Sequence, residues 1–145
     1  MSSQSLNKTV EIETVKGNAR YSKVLLIDDN SLDNFVNKKL IESTYFATEV
    51  VMHQSPIEAL SYLTSLDIEA LPEVIFLDIM MPEMDGFQFL DEFEKLQVSI
   101  QQKCKVIMLS TSDSFKDLNR ANKSKFVKKF LNKPLTENIL QAINV

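Results

Sequence analysis

Asp28 and Asp29 follow an apolar run at 24–27, and Asp78 follows another at 74–77. Ser110 follows a run at 106–109, and Asn132, Lys133 and Pro134 come shortly after a fifth apolar segment at 126–131. Three carboxylates crowded together repel, and removal from water pushes some of their pKa values up. A hard divalent cation among them relieves that, since magnesium takes one or two carboxylates, several waters and phosphate oxygens. A lysine beside such an ion is a compact point charge for a phosphoryl group, and a serine hydroxyl adds a hydrogen bond. The set suits phosphoryl transfer, where positioning and charge neutralisation supply most of the catalysis. A carboxylate can itself be the nucleophile, giving an aspartyl phosphate.

Those residues converge only if the apolar runs are neighbouring strands. Segments 23–27, 48–52, 74–77, 105–109 and 126–131 are apolar and often β-branched. The first, third and fourth are nearly continuous, as in strands covered on both faces. Helical spacing links them: Leu32, Phe35, Val36 and Leu40 form one expected inward stripe, Ile57, Leu60 and Leu63 a second, and Phe89, Leu90, Phe93 and Leu96 a third. Residues 114–122 predict a short, marginal helix anchored by Phe115 and Leu118, with Ala121 contributing little. Thr136 is placed to cap a last helix over 137–143. Pro56 and Pro72 punctuate the pattern where a helix and a strand begin. Strand and helix alternating five times imply an α/β domain with a parallel five-stranded sheet and helices on both faces. In such a sheet, ligands bind beyond the carboxyl ends of the strands, where all the residues above fall.

Composition bounds the remaining possibilities. The 145 residues, with net charge −4, 44% hydrophobic and 25% charged residues, make one globular domain over 21–145. Residues 1–20 are polar and read as a flexible tail, with an ordered extra strand as the alternative. The sequence contains no apolar stretch of membrane-spanning length and no secretory signal, so a cytoplasmic location is expected. Gly17 and Gly86 are the only glycines, which excludes a P-loop or a Gly-rich dinucleotide turn. One cysteine, Cys104, and one histidine, His53, exclude a disulfide framework and a structural zinc set; His53 reads as a packed or exposed side chain and Cys104 as structural or inert. Charge is segregated: 56–100 is strongly acidic, while 116–133 carries seven bases against Asp117 alone. With a sequence pI near 5.0 and no base-stacking aromatics between the bases, a protein-docking face is expected there rather than direct nucleic-acid binding.

Four elements in order carry a specific resemblance. Asp28-Asp29 after a first strand, the segment from Asp78 through Met80, Pro82 and Asp85 to Gly86, Leu109-Ser110-Thr111, and Asn132-Lys133-Pro134 resemble the receiver domain of two-component response regulators. The likeness spans roughly residues 23–145. It implies a flavodoxin-like, doubly wound (βα)5 fold with strand order 2-1-3-4-5. It implies Asp78 as phosphoacceptor from a phosphohistidine, and magnesium (or manganese) held by Asp29, Asp78 and the backbone carbonyl of Met80, with Asp28 holding a metal-bound water. Lys133 and Ser110 would bind the phosphoryl oxygens, and Phe130, three residues before Lys133, would turn inward as the switch aromatic. Pro82, Gly86 and Pro134 would shape the loops, with the Lys133-Pro134 bond cis.

The partners implied are a sensor histidine kinase, a histidine phosphotransfer protein or both, and a downstream protein target. The chain would be a monomer or a phosphorylation-dependent dimer. Only eleven residues follow Pro134, so no output domain is expected in this chain, and signalling would use the face of the last two helices and the fifth strand. Blander roles compete: Asp29 as a helix cap, Met81 and Met84 as packing, Phe130 as core. A phosphatase using an aspartyl phosphate would want a second Asp two residues after the first, where Met80 stands. A degenerate, phosphate-blind receiver is the other rival, and the intact acidic set argues against it. Met80 cannot orient an attacking water by hydrogen bonding, so slow self-dephosphorylation is expected, with Ser112 the other position of influence.

Overall fold

A computed structural model describes residues 19–111 and 114–145; the expectations for the tail and for Ser112 lie outside them. Among the described residues, five strands form one parallel sheet: β1 (Tyr21–Ile27), β2 (Ala47–His53), β3 (Val74–Asp78), β4 (Lys105–Ser110) and β5 (Val127–Asn132). Their order is β2-β1-β3-β4-β5. The connecting helices are α1 (Ser31–Ser43), α2 (Pro56–Thr64), α3 (Gly86–Phe93), α4 (Val98–Lys103), α5 (Phe115–Lys123) and α6 (Glu137–Ala142), with a 3-10 turn at Ile68–Ala70. The doubly wound fold is as expected, and strand bounds differ from the sequence reading by one or two residues.

Alternation along the strands divides the core in two. Leu25 and Ile27 of β1, Ile75 and Leu77 of β3, and Val106 and Met108 of β4 face Ala59, Leu63, Phe89, Phe93 and Ala121 of α2, α3 and α5. Val24, Leu26, Phe76, Ile107 and Leu109 face Ile41 of α1 and Leu140 of α6 on the other side. Each of β1, β3 and β4 therefore has both faces covered, which explains their continuous apolar runs. The helices start where local chemistry satisfies their free N–H groups: Asn30, Ser55, Asp85, Ser114 and Thr136 accept at α1, α2, α3, α5 and α6, and Pro56 opens α2. Ends of the described chain meet, since Tyr21 Oη donates to the Val145 carbonyl at 3.3 Å and lies 3.2 Å from the Val145 N–H. Arg20 adds a 2.8 Å bond to the Leu140 carbonyl.

Three helix faces differ from the periodicity. In α1 the inward stripe is Asn34, Asn37 and Ile41, with Leu40 half-buried and Leu32, Phe35 and Val36 exposed. In this orientation the Asn34 amide donates to the Asp28 carbonyl at 2.9 Å, which satisfies a buried backbone acceptor at the end of β1. In α2, Pro56, Ala59 and Leu63 are buried while Ile57 is exposed. In α5 the anchor is fully buried Ala121, Leu118 is half-buried, and Phe115 is 80% exposed. A small Ala lets the helix approach the sheet, and Arg120 covers the Phe87 ring at 4.0 Å. The α3 stripe is inward as expected. Helix α4 had no sequence signal beyond Val98 and Ile100, and its first residue has no side-chain cap.

Candidate functional site

The carboxyl edge gathers the residues singled out above. Asp28 extends β1, its N–H donating to the His53 carbonyl at 3.2 Å. Its Oδ1 accepts from the Asn30 N–H at 3.0 Å and its carbonyl accepts from Asn34, so backbone and side chain are both fixed. Asp28 is 4% exposed and Asp78, the last residue of β3, 5%; Asp29 projects to solvent. Asp28, Asp29 and Asp78 each place a carboxylate oxygen within 4.8 Å of the others.

The loop after Asp78 is held by Gly86, whose N–H donates to the Ile79 carbonyl at 2.8 Å. A Cβ at Gly86 would lie 2.8 Å from the Asp78 carbonyl oxygen and 2.9 Å from Met108 Cε, so a side chain has no room there. Asp85 caps α3 in a reciprocal box with Gln88, at 2.8 and 2.9 Å. Within the loop, Met80 and Pro82 are exposed, whereas Met81 is buried and Met84 packs against the core.

On the other side of Asp78, Ser110 ends β4, buried, and its carbonyl accepts from the Lys133 N–H at 2.8 Å. The Lys133-Pro134 bond is cis. Lys133 Nζ donates to Asp28 Oδ2 at 2.6 Å and to Asp33 Oδ2 at 3.3 Å, and lies 3.3 Å from Asp78 Oδ1. Phe130 sits on β5, half-buried, beside a cleft of about 380 Å³ shared with Ser114, Phe115, Leu118 and Asn132. Asp28, Asp29, Asp78 and Lys133 are thus brought into one cluster, with Ser110 adjoining it, while Phe130 lies outside it on β5, packed against the core.

Burial pushes the Asp78 carboxyl up to about 6; the Asp28 charge adds to this, Lys133 opposes it, and Asp29 contributes a smaller upward push. Burial opposes the charge on Lys133, but the Asp28 hydrogen bond and the charges of Asp78 and Asp28 outweigh it and raise its pKa. Three oxygen-donor carboxylates set against one ammonium leave the cluster net negative, and a hard divalent cation fits both its charge and its donor type. Asn30, Asp33 and Asn34 also build the site and were missed from sequence. Their signal was the helical offset from the Asp28-Asp29 pair, masked by the apolar Leu32, Phe35 and Val36 between and beside them.

His53 and Cys104 lie apart from this chemistry. The His53 ring packs 5.0 Å from that of Tyr62. Cys104 is buried, and burial pushes its thiol up to about 12.

Comparison with known proteins bears on the whole arrangement. The family model for the response regulator receiver domain matches residues 24–144. A two-component response regulator from Cytophaga hutchinsonii superposes with TM-score 0.78 at 33% identity, covering 83% of this chain and 92% of that one. A response regulator receiver protein from Dyadobacter fermentans gives 0.76 at 26% identity, with the same coverage of each chain. Protein-glutamate methylesterase/protein-glutamine glutaminase 3 of Burkholderia thailandensis is 37% identical over 89 residues, 61% of this chain. The chain spans only 22% of that protein's length. Strand order, the acidic edge and a family match over nearly all the described residues agree: this chain belongs to the response regulator receiver domain family.

Proposed function

We propose that the chain accepts a phosphoryl group on Asp78 from the phosphohistidine of a sensor histidine kinase or histidine phosphotransfer protein, and then relays it or changes a protein-binding surface. The observation that carries this reading is the Asp78 carboxylate, buried at the end of β3 and flanked by two further carboxylates and the Lys133 ammonium. As the Asp78 oxygen bonds to phosphorus, the donor's N–P bond breaks and its electron pair returns to the imidazole nitrogen. Asp29, Asp78 and the Met80 carbonyl would hold Mg2+ or Mn2+, with Asp28 holding its water; the ion supplies positive charge to the phosphoryl oxygens. Lys133 then donates to those oxygens, Ser110 hydrogen-bonds them, and Phe130 turns inward. The exposed Leu32 and Val36, which share a cleft with Lys133, give the donor an apolar docking strip, and exposed Phe35 stands on the same helix.

The test is incubation with acetyl phosphate and Mg2+, followed by intact mass. A shift of about 80 Da, one phosphoryl group, absent in Asp78→Ala, is expected. No shift, with fluoroberyllate also failing to bind, would count against it. Exposed, apolar Met80 predicts a phospho-form that persists well beyond seconds.

A further inference from the structure

Asp33 is the charged residue at this site that the phosphoryl chemistry above leaves without a role. It lies in the first turn of α1, its backbone N–H bonded to Asn30 Oδ1 at 3.0 Å and its Oδ2 accepting from Lys133 Nζ at 3.3 Å. The same ammonium donates to Asp28 at 2.6 Å and contacts Asp78 at 3.3 Å. A lysine has three N–H donors, so three carboxylates occupy it fully. Two of these partners, Asp28 and Asp33, belong to the β1–α1 segment, and one, Asp78, to β3.

The three partners are not equivalent. Asp28 and Asp78 are buried, so depriving either of the ammonium leaves a charge with little water around it. The Asp33 side chain is 42% exposed, and water can replace the ammonium there. Asp33 is therefore the partner that yields its hydrogen bond at least cost when phosphoryl oxygens arrive on Asp78.

We propose that Asp33 is a positioning residue: it holds Lys133 against the β1–α1 segment in the resting protein and competes with a phosphoryl group on Asp78 for that ammonium. This rests on the phosphoacceptor reading above. The competition is one-sided in a useful way, because the phosphoryl group brings more charge and more acceptors than the single carboxylate it displaces.

Fluoroberyllate, a tetrahedral mimic of the phosphoryl group, tests it by titration in Mg2+ against the wild type, Asp33→Asn and Asp33→Glu. Asn keeps the shape and removes the charge; Glu keeps the charge. The Asn variant is expected to bind about three- to tenfold more tightly, and the Glu variant within about twofold of wild type. Thermal midpoints without metal separate this from a helix effect, because Asp33 also favours the N-terminus of α1. A merely structural role would lower the Asn midpoint and leave its affinity unchanged or weaker, and that result overturns the proposal. A wild type that binds, with Asn unchanged, removes the Asp33 role alone. A folded wild type that neither binds fluoroberyllate nor takes up phosphate removes the phosphoacceptor reading and this inference together.

Discussion

Asp28 and Phe130 stand near the same edge of the same sheet, and they are held by different means. Asp28 is bonded at its N–H, its carbonyl and both carboxylate oxygens, to His53, Asn34, Asn30 and Lys133. Phe130 is half-buried beside a cleft with exposed Phe115, on a strand whose register with β4 slips between Val106 and Ile107. Directional bonds specify one geometry for the carboxylate half. The aromatic half is held mainly by packing, with space left beside it. On the proposed reading, that contrast divides the work: the chemistry stays fixed and the surface around Phe130 has room to change.

The contrast predicts where the protein is intolerant. Gly86→Ala should lower the free energy of unfolding in urea by about 2–3 kcal/mol, because its Cβ has only backbone and Met108 to push against. Asn34→Ala should cost about 1–3 kcal/mol by leaving the Asp28 carbonyl buried without that donor, and should weaken Mg2+ binding. Asp78→Asn should act in the opposite direction and stabilise the metal-free protein at pH 7 by about 1–2 kcal/mol. Phe115→Ala should change stability by less than about 0.5 kcal/mol. A loss at Phe115 equal to that at Gly86 would break the comparison.

The sign at Asp78 follows from proton binding. Its folded pKa, about 6, stands above the ordinary 3.8, so the folded metal-free protein holds this proton more tightly than the unfolded chain. The resulting stability is fully present below pH 3.8 and is lost as pH rises through 6. Melts from pH 4 to 7 should therefore show a decline that Asp78→Asn flattens. Added Mg2+ should reverse the order at pH 7, making the wild type the more stable protein.

The strands and the acidic edge were legible because they depend on short-range signals: continuous apolar runs, and a polar residue immediately after each. Gly86 was legible as a loop former, although its reason is a close approach to Asp78 rather than an unusual φ. The orientation of α1 was not legible. Residues 32, 35, 36 and 40 and residues 34, 37 and 41 are both helical stripes, and spacing alone does not choose between them; the buried one carries the Asn34–Asp28 bond, which exists only once helix and strand have met. Ala121 was undervalued for a similar reason, since its worth lies in how closely α5 can approach the sheet. Asp33 followed from neither pattern, because its partner is a hundred residues away.

The clasp between Tyr21 and Val145 has an engineering consequence. Two fluorophores attached beside Tyr21 and Val145 would begin side by side, away from the carboxyl edge of the sheet. Such a pair should report unfolding, and, on the proposed reading, stay silent to phosphorylation, for which a reporter at Phe115 is the better test. Joining Arg20 to Val145 by a short linker and opening the chain in an exposed loop should likewise leave the sheet order intact.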